Sequence, residues 1–164
     1  MNIRQFLEKT VEKSPDKTFL YFKDLEITYR QFDGNVNRVA NALLKLGIGK
    51  GDRFCIMMRN CPEFLYTWFG LNKIGAIMVP INAEFREKEA HYIIAHSGAL
   101  GVLASTETLP VVCNIRKSHK IPEHVISLAR PESENIISFQ ELCQGSSPFL
   151  GKSDVSQEDV ATII

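Results

Sequence analysis

The chain has 164 residues, the length of one compact domain with a single sizeable core. It is 45% hydrophobic and 23% charged, as ordinary globular proteins are. Its 19 basic and 19 acidic side chains cancel. That balance argues against a general attraction to nucleic acid or anionic lipid and leaves only a local patch open.

The first stretch, MNIRQFLEKTVEK, carries charges throughout and lacks an apolar core, so no secretory signal is expected there. Ile3, Phe6, Leu7 and Val11 predict one apolar helical stripe, ended by Ser14-Pro15-Asp16. Thr18 to Phe22 reads as a strand, and Asp24-Leu25 turns it towards a short partner at Ile27, giving a small N-terminal hairpin. Thr28 and Gln31 form a candidate capping box for a helix with Phe32, Val36, Val39, Ala40, Leu43 and Leu44 on one face and Gly47 as its stop.

A regular beat follows. Apolar strand candidates begin near Arg53, Ala76, Leu100 and His124, and each interval has room for one strand and a helix of about three turns. The intervening helices are predicted over Cys61–Ile74, Glu87–Ser97 and Glu107–Lys117. The fold class is therefore α/β: a mostly parallel sheet of successive βαβ units with flanking helices, plus the hairpin. Asn135–Phe139 is a further short strand candidate, and Ser138 with Glu141 opens a brief helix. The segments Gly145-Ser146-Ser147-Pro148 and Gly151-Lys152-Ser153 are loop-rich.

Little in the chain has the form of a catalytic motif. Gly47-Ile48-Gly49-Lys50-Gly51-Asp52 is glycine-rich, but phosphate cradles need a loop that opens a helix, and these glycines close one and lead into a strand. His91 and His96 are five residues apart and fall on different helical faces, so no metal site is expected. Cys55, Cys61, Cys113 and Cys143 lack Cys-x-x-Cys spacing and predict four free thiols, as in a reducing cytosol. Cys61 stands at a helix start, where a thiol can be activated, although a structural role is the stronger expectation. The apolar stretch from Phe64 to Ile81 is interrupted by Asn72, Lys73, Gly75 and Pro80, so a helix–strand pair is expected and not a membrane span.

That same region is the most informative. In RNCPEFLYTWFGLNKIGAIMVPIN (residues 59–82), Asn60 and Glu63 predict a capping box, and Phe64, Leu65, Trp68, Leu71 and Ile74 recur at helical spacing. Gly75 supplies a left-handed stop, and Ala76 to Ile81 predicts a strand covered on both faces. The residue string resembles the N-terminal region of the adenylate-forming acyl-CoA synthetases (the AMP-dependent synthetase/ligase family). Within it, NCPEF, WFGL and KIGAIMVPIN are most similar to the crotonobetaine/carnitine–CoA ligase branch.

The resemblance implies an ATP-dependent acid–thiol ligase: a carboxylate and ATP give an acyl-adenylate and pyrophosphate, and coenzyme A then displaces AMP. It implies ATP, Mg²⁺ and coenzyme A for the whole enzyme, a small-molecule carboxylate as substrate, and a cytoplasmic location. Residues 1–164 then form a partial N-terminal subdomain of a larger adenylate-forming domain, with the phosphate-binding loop beginning just beyond Ile164. No catalytic residue is assigned within the chain, which alone is expected to be inactive. One site residue is proposed by resemblance: Arg86, near the coenzyme entrance, whose guanidinium suits a coenzyme A phosphate. The last segment, Val160–Ile164, is expected to be an unfinished strand that is disordered or pairs with a second molecule, giving self-association through the sheet edge. The alternative reading is a free-standing, non-catalytic α/β binding or scaffolding module.

Overall fold

A computed structural model describes residues 1–129 and 135–164. Its elements in chain order are α1 (Ile3–Lys13), β1 (Thr18–Phe22), β2 (Leu25–Thr28), α2 (Tyr29–Lys45), β3 (Arg53–Met57), α3 (Pro62–Lys73), β4 (Ile77–Ile81), α4 (Glu87–Ser97), β5 (Gly101–Ala104), α5 (Leu109–His119), β6 (His124–Ser127), β7 (Ile137–Ser138) and α6 (Phe139–Gln144). The antiparallel pair β1–β2 stands apart from a five-stranded parallel sheet ordered β4-β3-β5-β6-β7.

The pleat sorts the strand residues onto two cores. Phe54, Ile56, Met78, Leu103 and Ile126 face the layer of α1, α2 and α3, where Phe32, Val36, Leu43 and Leu71 are fully buried. Cys55, Met57, Val79, Ile81, Val102 and Val125 face α4 and α5, meeting Ala90, Ile94, Val112 and Ile115. Both faces of the sheet are thus covered, which is why its strands are continuously apolar in sequence. Two glycines permit close approaches. A Cβ on Gly70 would come within 3.2 Å of Val39 Cγ1, so its absence lets α3 lie tightly on α2. A Cβ on Gly101 would meet Phe54 Cε2 at 2.4 Å, so β5 leaves room for that ring.

Polar side chains organise the α1–α2–α3 layer. Lys73 is 1% exposed; its Nζ donates to Asp33 Oδ1 at 2.6 Å and Asn37 Oδ1 at 2.8 Å and lies 3.7 Å from Glu8 Oε1. The outer flank of α2 then holds the loop-rich strap after α6. Lys45 donates to the carbonyl of Gly145, Arg38 to Ser146, Asn37 to Pro148, and Asn41 to Ser147 and Phe149. The strap continues past α1, where Arg4 reaches Ser153 and the Gly151 carbonyl, and Asn2 reaches Val155.

Several expectations need correction. Asn60 does not cap α3: Cys61 is the N-cap, without a side-chain hydrogen bond, and Pro62 is the first helical residue. Proline is suited to that position because its missing N–H has no helical partner there, and this places Asn60 one residue outside the cap. The helix expected over Glu107–Lys117 runs from Leu109 to His119. Leu44 and Phe6 are exposed despite their place in apolar stripes. The terminal segment is held by its own sheet: Met78 and Thr162 form a parallel bridge, with Met78 N donating to Ala161 O (3.1 Å) and Ile163 N to Met78 O (3.0 Å). Trp68 Nε1 also donates to Thr162 Oγ1 at 3.1 Å. The expectation of a segment that is disordered or paired only with a second molecule is therefore not met at Thr162, whereas Val160, Ile163 and Ile164 stay exposed.

Candidate functional site

In a parallel sheet the helices that follow the strands all start at the C-terminal rim, and ligands bind where neighbouring connections leave towards opposite faces. Here β3 leads into α3 on one face, whereas its neighbour β5 leads into α5 on the other. The crevice between the C-terminal ends of β3 and β5 is thus the position the topology marks. Its walls are the turns after β3 (58–61), β4 (82–86) and β5 (105–108).

Each turn has an identifiable local cause. Thr108 Oγ1 accepts from Ser105 N (3.0 Å) and donates to Met57 O (2.5 Å), stitching the β5–α5 turn to the end of β3. Asn82 Oδ1 accepts from Glu84 N at 2.9 Å and shapes the turn after β4. Glu84 then forms an exposed ion pair with Arg59, across the rim. The Glu107 carboxyl is held below the usual carboxylate range by the Ser105 hydroxyl, with smaller help from its own backbone N–H and from Arg59. Arg86 sits at the N-cap of α4, exposed; its carbonyl accepts from Ala90 N, and its side chain forms no ion pair or hydrogen bond with a described residue. The rim therefore offers one paired and one free guanidinium, two hydroxyl-bearing residues (Ser105 and Thr106) and three helix N-termini. These groups suit the binding of a phosphorylated molecule more than bond-breaking chemistry.

Among the described residues, no three His, Cys, Asp or Glu side chains gather as metal ligands. The histidines have other partners. The rings of His91 and His119 stack at 3.7 Å between α4 and α5, while His96 stacks on Tyr92. All four cysteines are free. Burial pushes the Cys61 thiol up, outweighing its place at a helix start, so it is not an activated nucleophile. The glycine-rich run after α2 is a turn: Gly47 and Gly51 adopt φ of 80° and 84°, and Gly49 N donates to Asp52 Oδ2 at 2.8 Å.

The model of the AMP-binding enzyme family matches residues 7–164. The chain belongs to that family. It is 36% identical over 172 aligned positions to the crotonobetaine/carnitine–CoA ligases of Salmonella paratyphi A and Salmonella typhimurium, which takes in 99% of the chain and 33% of each relative. Among solved structures, it is similar to the anthranilate CoA ligase AuaEII in complex with anthranoyl-AMP. The TM-score is 0.92 at 28% identity, over 99% of this chain and 31% of that one. It is also similar to the N-terminal domain of FACL13 from Mycobacterium tuberculosis, with TM-score 0.86 at 28% identity, over 99% of this chain and 41% of that one. This member of the AMP-binding family thus spans about a third of the length of the curated relatives it matches. The resemblance singled out Arg86 as near the coenzyme entrance, and the fold puts it in the turn after β4; Arg59, Glu84 and the Ser105–Thr108 stitch were missed. The Ser-x-x-Thr spacing at 105–108 was a readable signal for a structured turn.

Proposed function

We propose that residues 1–164 are the N-terminal part of an ATP-dependent acid–CoA ligase, forming one wall of its adenylate-forming domain. The observation that carries the reading is the match of the family model over residues 7–164, supported by the likeness to a CoA ligase bound to an acyl-adenylate. In this reading the whole enzyme activates a small carboxylate with ATP and Mg²⁺ and transfers the acyl group to coenzyme A in the cytoplasm. The adenylating groups come from the remainder of the same enzyme, and this chain alone does not turn over. Its own contribution at the rim is Arg86, whose free guanidinium pairs with a coenzyme A phosphate beside the N-terminus of α4.

The test is a fusion in which residues 1–164 replace the matching third of the Salmonella typhimurium ligase, assayed for acyl-CoA formation. Turnover is expected, and Arg86→Ala should raise the KM for coenzyme A roughly tenfold, the effect of one charge-assisted contact, with ATP binding unchanged. A folded fusion that binds ATP but forms no acyl-CoA would overturn the ligase reading.

A second reading, a non-catalytic α/β binding module, rests on the rim's free Arg86 guanidinium at the N-terminus of α4. That reading expects coenzyme A or a nucleotide to bind residues 1–164 with micromolar affinity by calorimetry, without turnover. An absence of heat with both ligands argues against it.

A further inference from the structure

The outer face of α1 is built unlike the rest of the surface. Phe6 is 59% exposed there, and Lys9 and Lys13 follow at the same helical phase. Lys17 comes from the turn beyond the helix, and Tyr29 lies alongside. Together with Thr10 and Ser14 they line an open groove of about 370 Å³ that contains no carboxylate. Lys9, Lys13 and Lys17 are exposed, and none forms an ion pair or a side-chain hydrogen bond with a described residue. The nearby acids are accounted for. Asp16 is engaged by Arg30, and Glu8 by Arg4 and Lys73. Glu12 is exposed one turn from Lys9, on the flank of the helix away from Phe6. In a chain with no net charge, three unpaired ammonium groups around a protruding aromatic ring are a local departure.

We propose that this face docks on an anionic phospholipid surface. The charge pattern calls for an anionic partner, and the exposed Phe6 ring between the lysines calls for one that is also apolar a few ångströms deeper. A membrane interface has that layering: phosphates at the height of the ammonium groups and acyl chains just below them, where an aromatic ring is stabilised. A free phosphorylated metabolite would satisfy the lysines and leave Phe6 in water. An acidic peptide would satisfy the lysines too, but it offers no continuous apolar layer beneath its charges for the exposed Phe6 ring. The association is weak and reversible, since three lysines and one ring fall short of a stable anchor. It is independent of the ligase reading, because α1 lies on the layer away from α4 and α5 and takes no part in the rim.

The experiment is co-sedimentation of the full chain with vesicles of phosphatidylcholine alone, and of phosphatidylcholine with roughly one-third phosphatidylglycerol, a strongly anionic surface. Binding is expected only to the anionic vesicles. It should be lost at about 0.5 M salt, where screening acts within a few ångströms. Removing all three charges (Lys9→Ala, Lys13→Ala, Lys17→Ala) should lower partitioning on the order of 100-fold, about fivefold per lysine. Phe6→Ser should lower it several-fold with no change in the salt dependence. A control that removes three exposed lysines elsewhere (Lys88→Ala, Lys117→Ala, Lys120→Ala) should retain most of the binding. These positions are exposed, and circular dichroism confirms that each variant is folded. The proposal is overturned by equal binding to both vesicle types, by equal losses in the two triple variants, by indifference to Phe6→Ser, or by retention on an acidic peptide without vesicle binding.

Discussion

Removing the ammonium of Lys73 should destabilise the fold more than any other change of a single charge. Lys73 is 1% exposed, and its Nζ is held 2.6 Å from Asp33 Oδ1 and 2.8 Å from Asn37 Oδ1. Lys73→Met keeps the aliphatic stem and leaves Asp33 without its cation and Asn37, 6% exposed, with an unmatched carbonyl oxygen. Breaking a fully buried pair costs about 3–5 kcal/mol. The Asp33 side chain keeps 19% of its surface, so water recovers part of that, and the expected loss is about 2–3 kcal/mol. For a chain of this size that lowers Tm by about 5–10 °C. Urea unfolding should show the loss as a shift in midpoint with an unchanged slope. The double variant Lys73→Met with Asp33→Leu should be less destabilised than the sum of the two single variants, because the orphaned carboxylate is gone. A loss under about 0.5 kcal/mol for Lys73→Met, or strict additivity in the cycle, would refute the claim that this buried pair ties α2 to α3.

Further outcomes follow from the same structure. Gly101→Ala should cost about 2–4 kcal/mol in urea unfolding, because the new methyl meets the buried Phe54 ring at 2.4 Å; Gly49→Ala, with nothing within 4 Å, should be nearly neutral. Burial pushes the Cys55 thiol up to about 12 and Cys143 up to about 11, so Ellman's reagent at pH 8 should leave both unreacted in the native chain and count four thiols in denaturant. Because the folded-state pKa of Cys55 is raised, its neutral thiol favours the native state below the ordinary thiol value of 9.0. That advantage fades as pH climbs towards 12, so alkaline unfolding should be shallower in Cys55→Ala than in the parent chain.

The local grammar of the chain was readable, because it rests on short-range chemistry. Thr28 does cap α2 with Gln31 completing the box, Ser138 does accept from Glu141 N, and Gly75 does turn left-handed, with φ of 75°. The βαβ beat placed β3, β4, β5 and β6 within a residue or so of where they begin. Strand order was not readable: an apolar run says that both faces are covered, not which neighbour supplies the hydrogen bonds. So β4 reads like an interior strand, yet it lies at the end of the five-stranded order, its outer side bridged, among the described residues, by Thr162 at Met78. The strap over α2 was hidden for a similar reason. Asn37, Arg38, Asn41 and Lys45 look like a solvated helix flank until the chain returns 100 or more residues later to present its carbonyls. At the rim, Arg86 was singled out by resemblance alone, whereas the Arg59–Glu84 pair spans 25 residues and has no sequence signature.

Carboxylate-dependent ATP–pyrophosphate exchange tests the central claim most directly, because it reports adenylation alone. Residues 1–164 by themselves should give no exchange above background, and their fusion to the later two-thirds of the Salmonella typhimurium ligase should restore exchange that depends on added carboxylate. Exchange by the isolated chain, free of contaminating ligase, would contradict the assignment of the chemistry to residues outside it; a folded, ATP-binding fusion with no exchange would contradict its place in a ligase.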